Sequence, residues 1–181
     1  MPATDPAGYW DIKCEGWLNK LKDVTVKAGL FVFGRAFQAV SKLDSRVQDE
    51  LLGIPEGFTL RLSVFPEGPS ILLKKSQNSV RFIGTSSAEP DMHLILKSRE
   101  TAVMFFTGRM GVSGAFAGHR LELHGDLNIA MTVSRCIAIV QRYLFPAFVC
   151  ERVMRGVPAM GFLRQISRLL VYLLAIPFGL I

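Results

Sequence analysis

The stretch HRLELHGDLNIAM, residues 119–131, sets His119 and His124 on either side of Glu122, with Asp126 just beyond. It reads either as a metal or catalytic cluster or as a strand that turns into a helix. On a strand, successive side chains point to opposite faces. His119, Leu121 and Leu123 then face one side, and Arg120, Glu122 and His124 the other. That leaves Glu122 and His124 to share an ion, whereas a stable zinc site takes about three or four protein ligands. Gly125 supplies a turn and Asp126 an N-cap ahead of LNIAMTVSRCIAIV. The expected order is strand, turn, cap and helix, with no metal site.

Upstream of this stretch the hydrophobic period is two. In GFTLRLSV, residues 57–64, the apolar Phe58, Leu60, Leu62 and Val64 alternate with Thr59, Arg61 and Ser63, the pattern of a strand with one wet face. After the turn FPEGPS come two short strands, ILLKK and VRFIG, separated by SQNS. MHLILK, residues 92–97, alternates in the same way. Four strands in an antiparallel meander are expected here, with HRLELH as a fifth. Between them, Ser98 is placed to cap a helix with Glu100 in its first turn, AVMFF forms the body and Gly108 the stop. The link GRMGVSGAFAG, residues 108–118, lacks the lysine of a phosphate-binding loop and the glycine spacing of a dinucleotide fingerprint.

From Trp10 to about Leu52 the pattern is helical, with Trp17, Leu21, Val24, Phe31, Val40 and Leu43 recurring mostly at multiples of three to four residues. Gly29 and Gly34 flank the apolar LFVF and mark a break or kink. GIPEG ends the helical part. The long helix from about Leu127 to Tyr143 carries an apolar stripe of Ile129, Val133, Cys136 or Ile137, and Val140, with Asn128, Thr132, Arg135 and Arg142 on its other side.

At 181 residues and 50% hydrophobic content the chain can bury a real core, which excludes a disordered protein. Cys14, Cys136 and Cys150 lack CxxC spacing and read as reduced, small apolar residues of a cytoplasmic protein. The first residues carry prolines and acids where a signal peptide needs a basic start and an apolar run, so secretion is not expected. No GxSxG elbow occurs, and His124 with Asp126 two residues away makes no triad. Catalysis is not expected, nor a cofactor.

The order of these elements resembles the sterol carrier protein 2 (SCP2) family. A half-buried meander, the helix in LKSRETAVMFFTG, a glycine-rich link, the strand GHRLELHGD and a long amphipathic helix carry the likeness, which runs from about Gly57 to Leu144. The block AFAGHRLELHGDLNIAM matches best. The resemblance implies an α+β fold, a five-stranded, mainly antiparallel sheet with helices over one face and an apolar tunnel for sterols, acyl chains or isoprenoids. Met104, Phe105, Phe106, Met110, Phe116, Leu121 and Leu123 are then lipid-binding residues, as are Ile129, Val133 and Ile137 from the long helix. Methionine and phenylalanine suit a pocket that adapts to a chain-like ligand, although the same side chains equally fill an ordinary core. Some members of the family are accessory factors in bacterial ubiquinone biosynthesis, which implies biosynthetic enzymes as partners.

The end of the chain lies outside that resemblance. Residues 1–134 hold 15 Lys and Arg against 14 Asp and Glu, whereas residues 135–181 hold six Arg against one Glu. Arg164 and Arg168 lie one helical turn apart, with Phe162, Ile166, Leu169 and Leu173 on the opposing stripe. The 13 residues after Arg168 are uncharged, too few for a bilayer crossing of about 20. An interfacial helix is expected, its arginines meeting anionic headgroups and its apolar face entering the acyl boundary. Docking of this segment on its own domain or on a second copy is the competing reading. Nucleic acid is a poor partner, because the basic residues are interleaved with aliphatics.

The sequence therefore divides into a helical extension (1–55), an SCP2-like lipid-binding domain (56–145) and a basic amphipathic tail (146–181). The expected function is binding and presentation or transfer of a hydrophobic lipid by a peripheral protein on the inner face of the cytoplasmic membrane. The alternative is an assembly module of the same fold without an open cavity, binding partner proteins through its helical ends.

Overall fold

The computed structural model describes residues 6–86 and 88–145, with side chains from residue 20 onward. Helix α1, Pro6–Leu43, is followed by α2, Ser45–Leu51. Three strands come next: β1 (Thr59–Val64), β2 (Ser70–Ser76) and β3 (Ser79–Gly84). Then come β4 (Met92–Leu96), α3 (Arg99–Phe106), α4 (Val112–Ala117), β5 (Leu121–His124) and α5 (Leu127–Leu144). The fold is α+β, as the alternating periods require.

The sheet has the order β3-β2-β1-β4-β5. β1, β2 and β3 form the expected hairpins, and β5 pairs antiparallel with β4. The meander does not extend to β4, however, which crosses over to lie parallel to β1 with Leu60 opposite Met92 and Val64 opposite Leu96. Polar side chains that period alone cannot pair fix this register. The Asp91 carboxylate accepts from the Thr59 amide at 2.8 Å and from its hydroxyl at 2.7 Å, and the Asp91 amide donates back to that hydroxyl at 3.0 Å. These bonds, the Thr59 hydroxyl first, hold the Asp91 carboxyl below the ordinary carboxylate range. Arg61 Nη2 donates to the carbonyls of Ser86 and Ala88 and so ties the crossover down over the sheet.

One face of the sheet is the core face. Leu60, Leu62 and Val64, with Met92, Leu94 and Leu96, are buried in one core with Val26, Leu30, Phe33, Phe37 and Val40 of α1 and Val133, Ile137 and Val140 of α5. α1 runs unbroken through Gly29 and Gly34, so the break expected there is absent. The glycines serve close approach instead. A Cβ on Gly29 would lie 2.6 Å from Phe106 Cβ, and one on Gly34 would enter the Phe82 ring. The break falls at Asp44, which caps α2 by accepting from the Arg46 amide at 3.0 Å. The other carboxylate oxygen of Asp44 accepts from the Tyr143 hydroxyl at 2.9 Å, which joins α2 to α5 in the interior. Burial first, and that bond second, push the Tyr143 phenol up from its ordinary value.

The caps in the middle of the chain follow the sequence. Ser98 Oγ accepts from the Thr101 amide at 3.1 Å, and the Asp126 carboxylate accepts from the amides of Asn128 and Ile129. Within the glycine-rich link, Val112–Ala117 forms α4. Gly111 at its N-cap has no side chain to offer, and the buried Gln141 of α5 accepts from the Val112 amide at 3.2 Å instead. A packing partner remote in sequence thus supplies the cap.

Gly29→Ala is expected to destabilise the fold by about 1–3 kcal/mol. The methyl meets the root of Phe106, which no rotamer change moves aside, and this exceeds the roughly 1 kcal/mol that alanine gains in helix propensity. Denaturant unfolding followed by circular dichroism measures it, and stability equal to or above wild type would contradict the packing role.

Candidate lipid-binding groove

Two regions qualify as sites: the polar outer face of the sheet, where the histidines gather, and a groove along α5. On the outer face, Ser63 of β1 and His93 of β4 lie 2.7 Å apart, Oγ to Nε2. His124 of β5 stands opposite His93 with ring centroids 6.3 Å apart, and its Nε2 lies 2.9 Å from Glu122. His119 takes no part. Its backbone is left-handed, φ 53°, in the turn before β5, which begins at Leu121.

This cluster is weak as chemistry. Among the described residues no group of three or more His, Cys, Asp or Glu is arranged to hold a metal. β1 and β4 are interior strands paired on both sides, so their amides are engaged in ladders rather than turned toward the Ser63 oxygen. Desolvation first, then the charges of Arg61 and His124, lower the pKa of His93. The Cys136 thiol is pushed up to about 12, chiefly by burial, and stays protonated at neutral pH.

The groove is built differently. α4, β5 and α5 converge around a cavity of about 480 Å³ lined by Ser113 and Phe116, by Leu123, and by Leu127, Ala130, Met131, Ser134, Arg135 and Ala138. The Gln141 cap holds α4 against α5, and the Asp126 cap starts α5 directly after β5, so all three walls are fixed by hydrogen bonds. Leu127 is 68% exposed and Met131 59%, an unusual cost for two large apolar side chains one turn apart. By contrast, the pocket that reaches the core between Phe37, Leu60, Val80 and Val133 measures about 20 Å³, room for a single water.

The residues expected to bind lipid fall into two sets. Phe116 and Leu123 line the groove. Phe105, Leu121, Val133 and Ile137 are buried in the common core, and Phe106, Met110 and Ile129 pack against it half-buried. Phe105 and Phe106 meet Phe33 of α1 with ring centroids 5.9 and 6.1 Å away, and Met104 is half-buried. Leu127 and Met131 were not among those expectations. Their signal was available, since both are apolar yet fall off the buried stripe of the same helix. Phe162, Arg164, Ile166, Arg168, Leu169 and Leu173 lie outside the described residues. Among the described residues no helix is long and apolar enough to cross a membrane.

No protein-family model and no curated protein matches the sequence. Among solved structures the chain is similar to SCP2 domains. A UbiJ-SCP2 ubiquinone synthesis protein is 18% identical, with 59% of this chain and 87% of that one covered and a TM-score of 0.38. Sterol carrier protein domain 2 of Helicoverpa armigera is 15% identical over 62% and 88%, with a TM-score of 0.42. Sterol carrier protein 2 from Yarrowia lipolytica is 12% identical over 61% and 90%, with a TM-score of 0.40. At these values no ligand or partner of those proteins carries over to this chain.

The lowered pKa of His93 gives the outer face a pH dependence. The unfolded chain binds a proton on this residue near its ordinary value of about 6.5 before the folded chain does. The contribution to stability is therefore full above that pH and declines as pH falls through and below it. Unfolding midpoints at pH 7.5 and pH 5.5 are expected to differ less in His93→Gln than in wild type, and an unchanged difference would remove His93 as the cause.

Proposed function

We propose that this protein binds the apolar chain of a lipid in the groove between α4, β5 and α5 and presents it at a membrane surface. The exposure of Leu127 and Met131 in a lined concavity of about 480 Å³ carries this reading. That volume is within the range that takes a ligand of drug size. Each methylene removed from water there is worth about 0.8 kcal/mol, so a chain of ordinary length is held without directional bonds. The groove works by binding, and no reacting group is required of it. Attachment to the membrane belongs to residues 146–181, where Arg164 and Arg168 would meet anionic headgroups while Phe162, Ile166, Leu169 and Leu173 enter the acyl boundary. The lipid would then pass between groove and bilayer without crossing bulk water.

A carboxylate in the groove tests the binding half. Met131→Glu is expected to weaken binding of a fluorescent long-chain acyl probe at least tenfold, about 1.4 kcal/mol. Leu52→Glu, at an equally exposed site away from the groove, should leave it unchanged. Equal probe binding by wild type and Met131→Glu would sink the reading.

The membrane half is tested separately by sedimentation with anionic vesicles. Arg164→Ala with Arg168→Ala removes about 2 kcal/mol of headgroup attraction, roughly a thirtyfold loss of partitioning. Undiminished partitioning of this variant would place membrane attachment elsewhere in the chain.

A further inference from the structure

A second cavity, of about 640 Å³, opens between α2 and α5. Arg135 and Ala138 line it and also line the apolar groove, so the two are continuous along one helix. Leu127, Met131, Ala138 and Arg142 recur at helical spacing on one side of α5, and at 1.5 Å per residue the line from first to last is about 22 Å long. It is apolar at the start of the helix and charged at its end.

The charges at that end are not equivalent. Arg135 Nε lies 2.7 Å from Glu50, and Arg46 Nε lies 3.7 Å from the buried Asp44, so these four are matched within the protein. Arg142 and Asp49 also line the cavity. Among the described residues neither side chain has an ion-pair or hydrogen-bonding partner, and Arg142 Nε is shut off from solvent. An arginine on a cavity wall with no acceptor among the described residues offers its remaining N–H donors to a bound oxyanion. The carboxylate of Asp49, on the α2 side of the same cavity, favours a cation beside that anion.

We infer that the α2–α5 cavity is a head-group subsite for a single-chain zwitterionic phospholipid, with its phosphate on Arg142, its ammonium facing Asp49 and its chain in the apolar groove. This rests on the lipid-binding reading of the groove and adds the class of head group. A neutral head leaves Arg142 unanswered, and a purely anionic one meets Asp49 with like charge.

Displacement of the acyl probe by lipids of matched chain length tests it on the full chain. Lysophosphatidylethanolamine is expected to bind about tenfold more tightly than lysophosphatidic acid or monoacylglycerol. Arg142→Gln should bring both phosphate-bearing lipids to the level of monoacylglycerol or below. Asp49→Asn should remove the preference for lysophosphatidylethanolamine over lysophosphatidic acid while leaving monoacylglycerol unaffected. Equal affinity for the three lipids in wild type, or an order of preference that neither variant alters, overturns the subsite. If Met131→Glu weakens all three lipids while the head groups are not distinguished, the groove stands and the head-group subsite falls. If Met131→Glu weakens none of them, the groove itself fails and the subsite with it. Circular dichroism of each variant separates these outcomes from misfolding.

Discussion

The structure depends on one constraint: the apolar face of a five-stranded sheet must be covered, and α1 brings Val26, Leu30, Phe33, Phe37 and Val40 to that core. α1 can lie that close because two of its positions have no side chain. At Gly29 the helix admits Phe106 from α3, and at Gly34 it admits Phe82 from β3. Phe33, between them, then meets both Phe105 and Phe106 edge to face. Glycine in a helix costs about 1 kcal/mol in propensity, and here the burial of whole aromatic rings offsets it.

Filling the interior with α1 has a consequence for ligand binding. Phe105, Val133 and Ile137, which a tunnel beneath the sheet would need as its wall, are occupied by contacts within the core. Space of useful size lies instead at the flank, where α4 is short and α5 overhangs β5. The groove is therefore a product of the same packing that closes the centre.

Much of this was legible locally. The alternation in β1, the Ser98 cap and the Asp126 cap are decided by residues a few positions apart, and sequence patterns report such short-range physics faithfully. What was not legible depends on contacts between distant residues. A glycine in a helix reads as a break until its packing partner is known. The place of β4 beside β1 rests on Thr59 and Asp91, and α4 rests on a cap from Gln141, 29 positions away. Of the groove, Phe116 and Leu123 were named, because they belong to the expected strand and link. Leu127 and Met131 were not, because the period of α5 points to its buried face, and a groove is formed at the margin of such a face.

The buried pair Asp44 and Tyr143 explains why the charged end of α5 is ordered as it is. Asp44 must remain in place to cap α2, and the Tyr143 hydroxyl is the donor that α5 offers it in the interior. The carboxylate so fixed lies beneath Arg46 and engages that guanidinium at 3.7 Å. Glu50, one turn further along α2, reaches Arg135. The junction of α2 with α5 thus uses Arg135 to hold the helices together, while Arg46 stays on Asp44 at the cap of α2. Arg142 sits in the last turn of α5, where the helix dipole already favours a cation, so its charge needs no protein partner to be tolerated. Among the described residues no carboxylate engages Arg142, which leaves its hydrogen-bonding capacity to the head group inferred above.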